Sequence, residues 1–196
     1  MLDFMSRRFS FPPPDSGPHL GRRRFLAAVG GVCGTAASIA ATPLLAASRE
    51  TRSLSLVHTH TGETLRVPYF QDGCYRDECL AQVNHLLRDF RTGDVHPIDP
   101  ALLDILYDLQ LKANRDGAFE VISGYRSPAT NEMLHSRSEG VAVHSIHLEG
   151  RAIDVRLPGF ATRELAARAR QLGRGGVGFY ARSDFVHVDT GRIRFW

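Results

Sequence analysis

Cysteine is scarce. There are 3 in 196 residues, and Cys74 and Cys79 have no second pair of thiols nearby, so a thiolate zinc site is not indicated. No internal repeat is present, which argues against stacked-repeat architectures. No apolar run is strong enough for a stable membrane span: the one candidate, from Phe25 to Ala47, is weakly hydrophobic and interrupted by Gly30, Gly31, Gly34 and Pro43. A charge excess is also missing where it would matter. The whole chain carries a formal +3, but five Arg and two Asp within residues 1–48 account for it. From Arg49 onward 19 basic side chains face 19 acidic ones, a balance that offers no electrostatic footprint for nucleic acid.

What is present begins with Arg22-Arg23-Arg24-Phe25-Leu26, followed by an uncharged Ala- and Gly-rich stretch to Ala47 and then by Arg49 and Glu50. This reads as a twin-arginine (Tat) signal peptide with cleavage expected after Ser48. The earlier pair Arg7-Arg8 leads into the Pro-rich run Pro12 to Pro18 and reads as an N-terminal extension. Residues 1–48 are therefore assigned to targeting and 49–196 to a single domain without a membrane span. The expected partner in transit is the Tat export machinery and the expected location is the periplasm. Cys33 would leave with the signal. Cys74 and Cys79, five residues apart, are a candidate disulfide in that oxidising compartment.

Residues 53–70 alternate through Leu54, Leu56, Leu65 and Val67 about a Thr61-Gly62-Glu63 turn, which predicts a β-hairpin. Leu80, Val83, Leu86, Leu87 and Phe90 recur at helical spacing and predict a helix over 76–90. Asp99-Pro100 caps and opens a second helix with a buried stripe of Leu102, Leu103, Leu106 and Leu109. Further elements are a strand at 119–123, a short helix from Pro128 to about Arg137, a strand at 152–157 and a helix from Thr162 to Leu172 stopped by Gly173. Strands at 175–180 and 185–189 pair about Arg182-Ser183. The class is α+β, with a central, mostly antiparallel sheet and flanking helices.

The chemistry concentrates near the C-terminal half. His147 and Asp154 lie seven residues apart with Gly150 allowing a bend between them. Strand alternation turns Ile153 and Val155 to the core and Asp154 to the other face, and the same alternation separates Val186 and Val188 from His187 and Asp189. If the two strands are neighbours and the loop carrying His147 folds over them, two nitrogens and one oxygen converge. That is the open ligand set of a catalytic zinc site. Asp189 is a candidate second-layer acceptor for His187, and His144 and Ser145 are candidates to line the cleft. His58 and His60 share a strand face without a supporting carboxylate or thiol, and His85, His96 and His135 read as ordinary surface or core histidines.

Every fixed residue of a Ser-x-His-x-x-Gly-x-Ala-x-Asp pattern is met from Ser145 to Asp154, and a carboxylate stands three residues before the last histidine in Asp184-Phe185-Val186-His187. These motifs resemble the signatures of the zinc D-Ala-D-Ala peptidase superfamily. Within it the sequence is most similar to the YcbK-like (MepK-type) murein endopeptidases. The likeness also takes in Leu87-Arg88-Asp89, Ser123-Gly124-Tyr125-Arg126-Ser127, Gly175-Gly176-Val177-Gly178, and His187-Val188-Asp189-Thr190-Gly191 running to Trp196. It implies a hedgehog-like or D-Ala-D-Ala-peptidase-like fold with one zinc ion per chain held by His147, Asp154 and His187. It further implies Asp184 as general base towards metal-activated water, and Arg126 in the substrate cleft, pairing with a carboxylate or with developing oxyanion charge. The implied reaction is hydrolysis of a peptide bond in peptidoglycan stems or cross-links by an endopeptidase. A D-Ala-D-Ala carboxypeptidase and a zinc-containing, non-catalytic wall-binding module are the alternatives.

Overall fold

Alternation at the start of the domain builds a hairpin. In β1 (Thr51–His58) Leu54 and Leu56 are buried, and in β2 (Thr64–Gln71) Val67 and Tyr69 are. The computed structural model describes residues 50–138 and 140–196, so the expected signal segment and Cys33 lie outside the described residues. The short strand β3 (Cys74–Tyr75) adds to β2 and is followed by helix α1 (Asp77–Leu86). The predicted helix is longer than the observed one. Leu87 leaves the helix because its carbonyl accepts the amide of Tyr125 at 2.8 Å, and Phe90 stacks on His60 with ring centroids 4.2 Å apart.

Helix α2 (Pro100–Ala113) starts as expected: Asp99 accepts the Ala101 amide at 3.0 Å and Pro100 sits where no amide donor is needed. Its leucines form the centre of the core. Strand β4 (Phe119–Ser123), helix α3 (Pro128–Arg137), strand β5 (Ala152–Arg156) and helix α4 (Thr162–Leu172) follow. A single 3-10 turn, Ile146–Glu149, precedes β5. The chain then forms β6 (Gly176–Tyr180), β7 (Phe185–Asp189) and β8 (Arg194–Phe195).

The described strands make one sheet of order β3-β2-β1-β4-β5-β7-β6-β8. It is antiparallel except where β1 meets β4 and β6 meets β8. One face carries Leu54, Leu56, Phe119, Val121, Ile153, Val155, Val177, Val186 and Val188, which share a continuous core with residues of α1, α2 and α4. The opposite face of β5, β7 and β6 is left for polar groups. β4 contributes to that face through an irregularity: Val121 pairs with Val155, yet Ser123 pairs with Asp154, so the extra residue Ile122 turns Ser123 to the polar side.

Candidate metal centre and cleft

β5 and β7 are adjacent, with Asp154 directly opposite His187. The 3-10 turn carrying His147 folds against them. Its start is capped by Ser145 Oγ accepting the His147 amide at 3.4 Å, and its end is the left-handed Gly150. A side chain at 150 would meet the Pro97 carbonyl oxygen at 2.2 Å, so only glycine fits that bend.

The result is a cluster in which His147 Nε2, His187 Nδ1 and Asp154 Oδ1 lie within 3.3 Å of one another in each pairing: 3.2 Å between the histidines, 2.9 Å from His187 to Asp154 and 3.3 Å from His147 to Asp154. All three residues are buried. Two imidazole nitrogens and a carboxylate oxygen with converging lone pairs suit a divalent cation. The other ring nitrogens are held elsewhere: His147 Nδ1 is 2.7 Å from the Gly124 carbonyl oxygen, which fixes it as a donor, and His187 Nε2 is 3.0 Å from Asp189 Oδ2. Asp189 is thus the layer behind the cluster. It also accepts the amides of Gly176 and Gly191 at 3.0 and 2.8 Å and both guanidinium nitrogens of Arg194.

Burial and partners set the charges. Burial pushes the His147 pKa down and favours the neutral ring, while Asp154 pulls the other way. Burial would raise Asp154, but His147 and His187 outweigh it and hold its carboxyl well below the usual range. His187 moves upward, because Asp154 and Asp189 outweigh the burial that would lower it. Asp189, too, is opposed by burial yet held low by His187, Gly176 and Arg194.

The cluster forms part of the wall of a cavity of about 850 Å³ that also meets Arg126, His144, Ser145, Glu149, Tyr180 and Trp196. Arg126 extends from the turn after β4. Its Nε donates to Ser123 Oγ at 2.9 Å and its Nη2 to Asp154 Oδ2 at 2.5 Å. It therefore grips the carboxylate of the cluster as well as facing the cleft. Asp89 holds this turn from behind, accepting the Ser127 amide and hydroxyl at 2.8 and 2.7 Å.

Set beside known proteins, residues 46–196 match the family described as peptidoglycan L,D-endopeptidase MepK. The chain belongs to the MepK family. The Escherichia coli K12 peptidoglycan L,D-endopeptidase MepK is 43% identical over 176 residues, covering 89% of this chain and 96% of the relative. The Shigella flexneri protein of the same name gives the same figures. The Haemophilus influenzae probable peptidoglycan L,D-endopeptidase MepK is 40% identical over 146 residues, 74% of this chain and 78% of its own.

In this MepK-family structure Asp184, Cys74 and Cys79 stand apart from the cavity wall. Asp184 is not brought to the site. Its carboxylate is 64% exposed, accepts the Thr162 hydroxyl and lies 3.6 Å from Arg156, and it is absent from the cavity wall. Its backbone explains the residue type instead: φ is +51°, the left-handed region that aspartate tolerates in a hairpin turn. Nor are Cys74 and Cys79 bridged. Both are free, Cys74 exposed on β3 and Cys79 packed toward the core from α1. His58 and His60 sit away from the cluster, His58 buried with its Nδ1 accepting the backbone amides of His60 and Thr61. Sequence reasoning missed Arg194, for which the only signal was its place five residues after Asp189.

Proposed function

We propose that this chain is a zinc-dependent murein endopeptidase that cleaves an L,D peptide bond in peptidoglycan cross-links after export. The observation that carries the reading is the convergence of His147 Nε2, His187 Nδ1 and Asp154 Oδ1 at the wall of an open cavity. The bond type follows the names of the MepK relatives. Zinc held by these residues would supply a Lewis acid that polarises the scissile carbonyl and lowers the pKa of water.

The remaining work falls to the chain. Asp189 keeps the His187 ring turned so that Nδ1 faces the cluster, and the Gly124 carbonyl does the same for His147 Nε2. Arg126 orients Asp154 and places a fixed positive charge at the cavity, where it meets a stem carboxylate or the oxyanion. Because Asp184 lies outside the cavity, the proton-accepting role passes to a titratable group of the cavity wall outside the ligand set, His144 or Glu149. Comparing His144→Ala with Glu149→Gln in kcat separates the two.

Export by the twin-arginine route and a periplasmic location rest on Arg22-Arg23-Arg24-Phe25-Leu26 and the uncharged stretch that follows it to Ala47. Digestion of purified dimeric and monomeric muropeptides tests the activity. Conversion of dimers to monomers supports it; release of terminal D-Ala alone would point to a carboxypeptidase.

A further inference from the structure

Strand β6 shows no side chain to the site face at two alternate positions, Gly176 and Gly178. Strand β8 runs parallel beside it, with Arg194 opposite Gly176 and Phe195 opposite Val177. Gly178 in turn is opposite His187. The glycines open a lane across the sheet. A Cβ on Gly176 would come within 2.5 Å of both Arg194 Nη1 and Asp189 Oδ2, and one on Gly178 within 2.5 Å of Trp196 Cε2, separations that real side chains do not reach.

Two β8-side groups use that lane. The Arg194 guanidinium crosses Gly176 to meet Asp189, Nη2 to Oδ2 at 2.7 Å and Nη1 to Oδ1 at 3.2 Å. The Trp196 ring crosses Gly178 to lie 5.3 Å from the His187 ring. Trp196 is anchored in its own right: its amide donates to Val177 O at 3.3 Å, its carbonyl accepts Phe179 N at 3.0 Å, and its indole N–H donates to the Tyr180 hydroxyl at 3.0 Å. Arg194 lies 4.9 Å from the Trp196 ring, so the two brace each other.

We propose that Arg194 and Trp196 are positioning residues of the metal centre, a clasp that reaches through the glycine lane of β6 to fix Asp189 and the His187 ring. The two-pronged grip of a guanidinium sets the plane of the Asp189 carboxylate. That plane sets where Oδ2 meets His187 Nε2, and so keeps Nδ1 turned to Asp154 and His147. Trp196 blocks the ring from swinging out toward the cavity. The inference rests on the metal reading above and adds to it the residues that hold the cluster in shape.

Zinc affinity, measured by competition with a chromophoric chelator, and the visible spectrum of the cobalt-substituted protein test it in wild type, Arg194→Ala, Arg194→Lys and Gly178→Val. Thermal unfolding of the metal-free forms checks the fold. Arg194→Ala is expected to weaken zinc by about 10- to 100-fold, as loss of an outer partner does. Arg194→Lys recovers part of this, returning the charge without the fork. Gly178→Val, which displaces Trp196, alters the cobalt spectrum. If Arg194→Ala fails to fold without metal, Arg194→Gln decides the same point. Zinc binding within twofold of wild type together with unchanged cobalt spectra overturns the proposal. A wild type that binds no zinc overturns the metal reading instead.

Discussion

Replacing Asp89 by asparagine removes a buried charge that fastens the Arg126 turn to the body of the domain. Asp89 is 1% exposed. Its carboxylate accepts the Ser127 amide at 2.8 Å, the Ser127 hydroxyl at 2.7 Å and the Arg91 amide at 2.9 Å. Burial opposes its ionisation, but the Thr130 hydroxyl first, and then these bonds, outweigh it and bring its pKa from the ordinary 3.8 down to about 2. A depressed carboxylate stabilises the fold above its unfolded pKa, and this contribution is lost as pH falls through the folded value. The shift corresponds to about 2 kcal/mol, and an asparagine that turns its NH₂ toward a backbone donor adds to the loss, giving about 2–4 kcal/mol. Urea unfolding at pH 7 should show that deficit for Asp89→Asn, and the gap to wild type should narrow between about pH 4 and pH 2. A variant within about 0.5 kcal/mol of wild type at pH 7, or a gap of the same size at both ends, would refute the reasoning.

Asp184→Asn should keep muropeptide hydrolysis within a few-fold of wild type, while Asp184→Val, forced into a left-handed turn, should lower stability by about 1–2 kcal/mol in urea unfolding. Gly150→Ala, which drives a methyl into the Pro97 carbonyl oxygen, should cost zinc affinity as well as stability, read by chelator competition and by Tm. Zinc affinity should fall as pH drops below neutrality, because protons favour the upward-shifted His187 and compete with the metal; a flat affinity from pH 7.5 to 5.5 counts against His187 as a ligand. Trp196, the only tryptophan in the chain, should lose fluorescence when Co²⁺ or Cu²⁺ binds next to the His187 ring; emission that does not respond would place the metal elsewhere.

Much of the architecture was legible because local rules and tertiary packing agree. The Leu54 and Leu56 alternation, the Asp99-Pro100 helix start and the Gly173 stop each become what their chemistry favours. Part of the His147, Asp154 and His187 cluster was legible for the same reason, since alternation in β5 and β7 assigns Asp154 and His187 to one face. Two departures from the expected pattern depend on distant partners. Helix α1 ends early because Tyr125 takes the Leu87 carbonyl, a bond 38 residues away that no helical spacing reveals. Strand β8 has two residues and so no period, yet it brings Arg194 to Asp189. Asp184 occupies the spacing of a catalytic carboxylate, but its positive φ shows a turn requirement that spacing cannot distinguish from chemistry.

The most direct test is a zinc titration of metal-stripped protein, followed by its digestion of a purified cross-linked muropeptide dimer. Dimer cleavage should be absent without metal and rise to a plateau at one zinc per chain, and Asp154→Asn should not recover it. Full cleavage by the metal-free protein, or a zinc requirement unaffected by Asp154→Asn, would contradict the account.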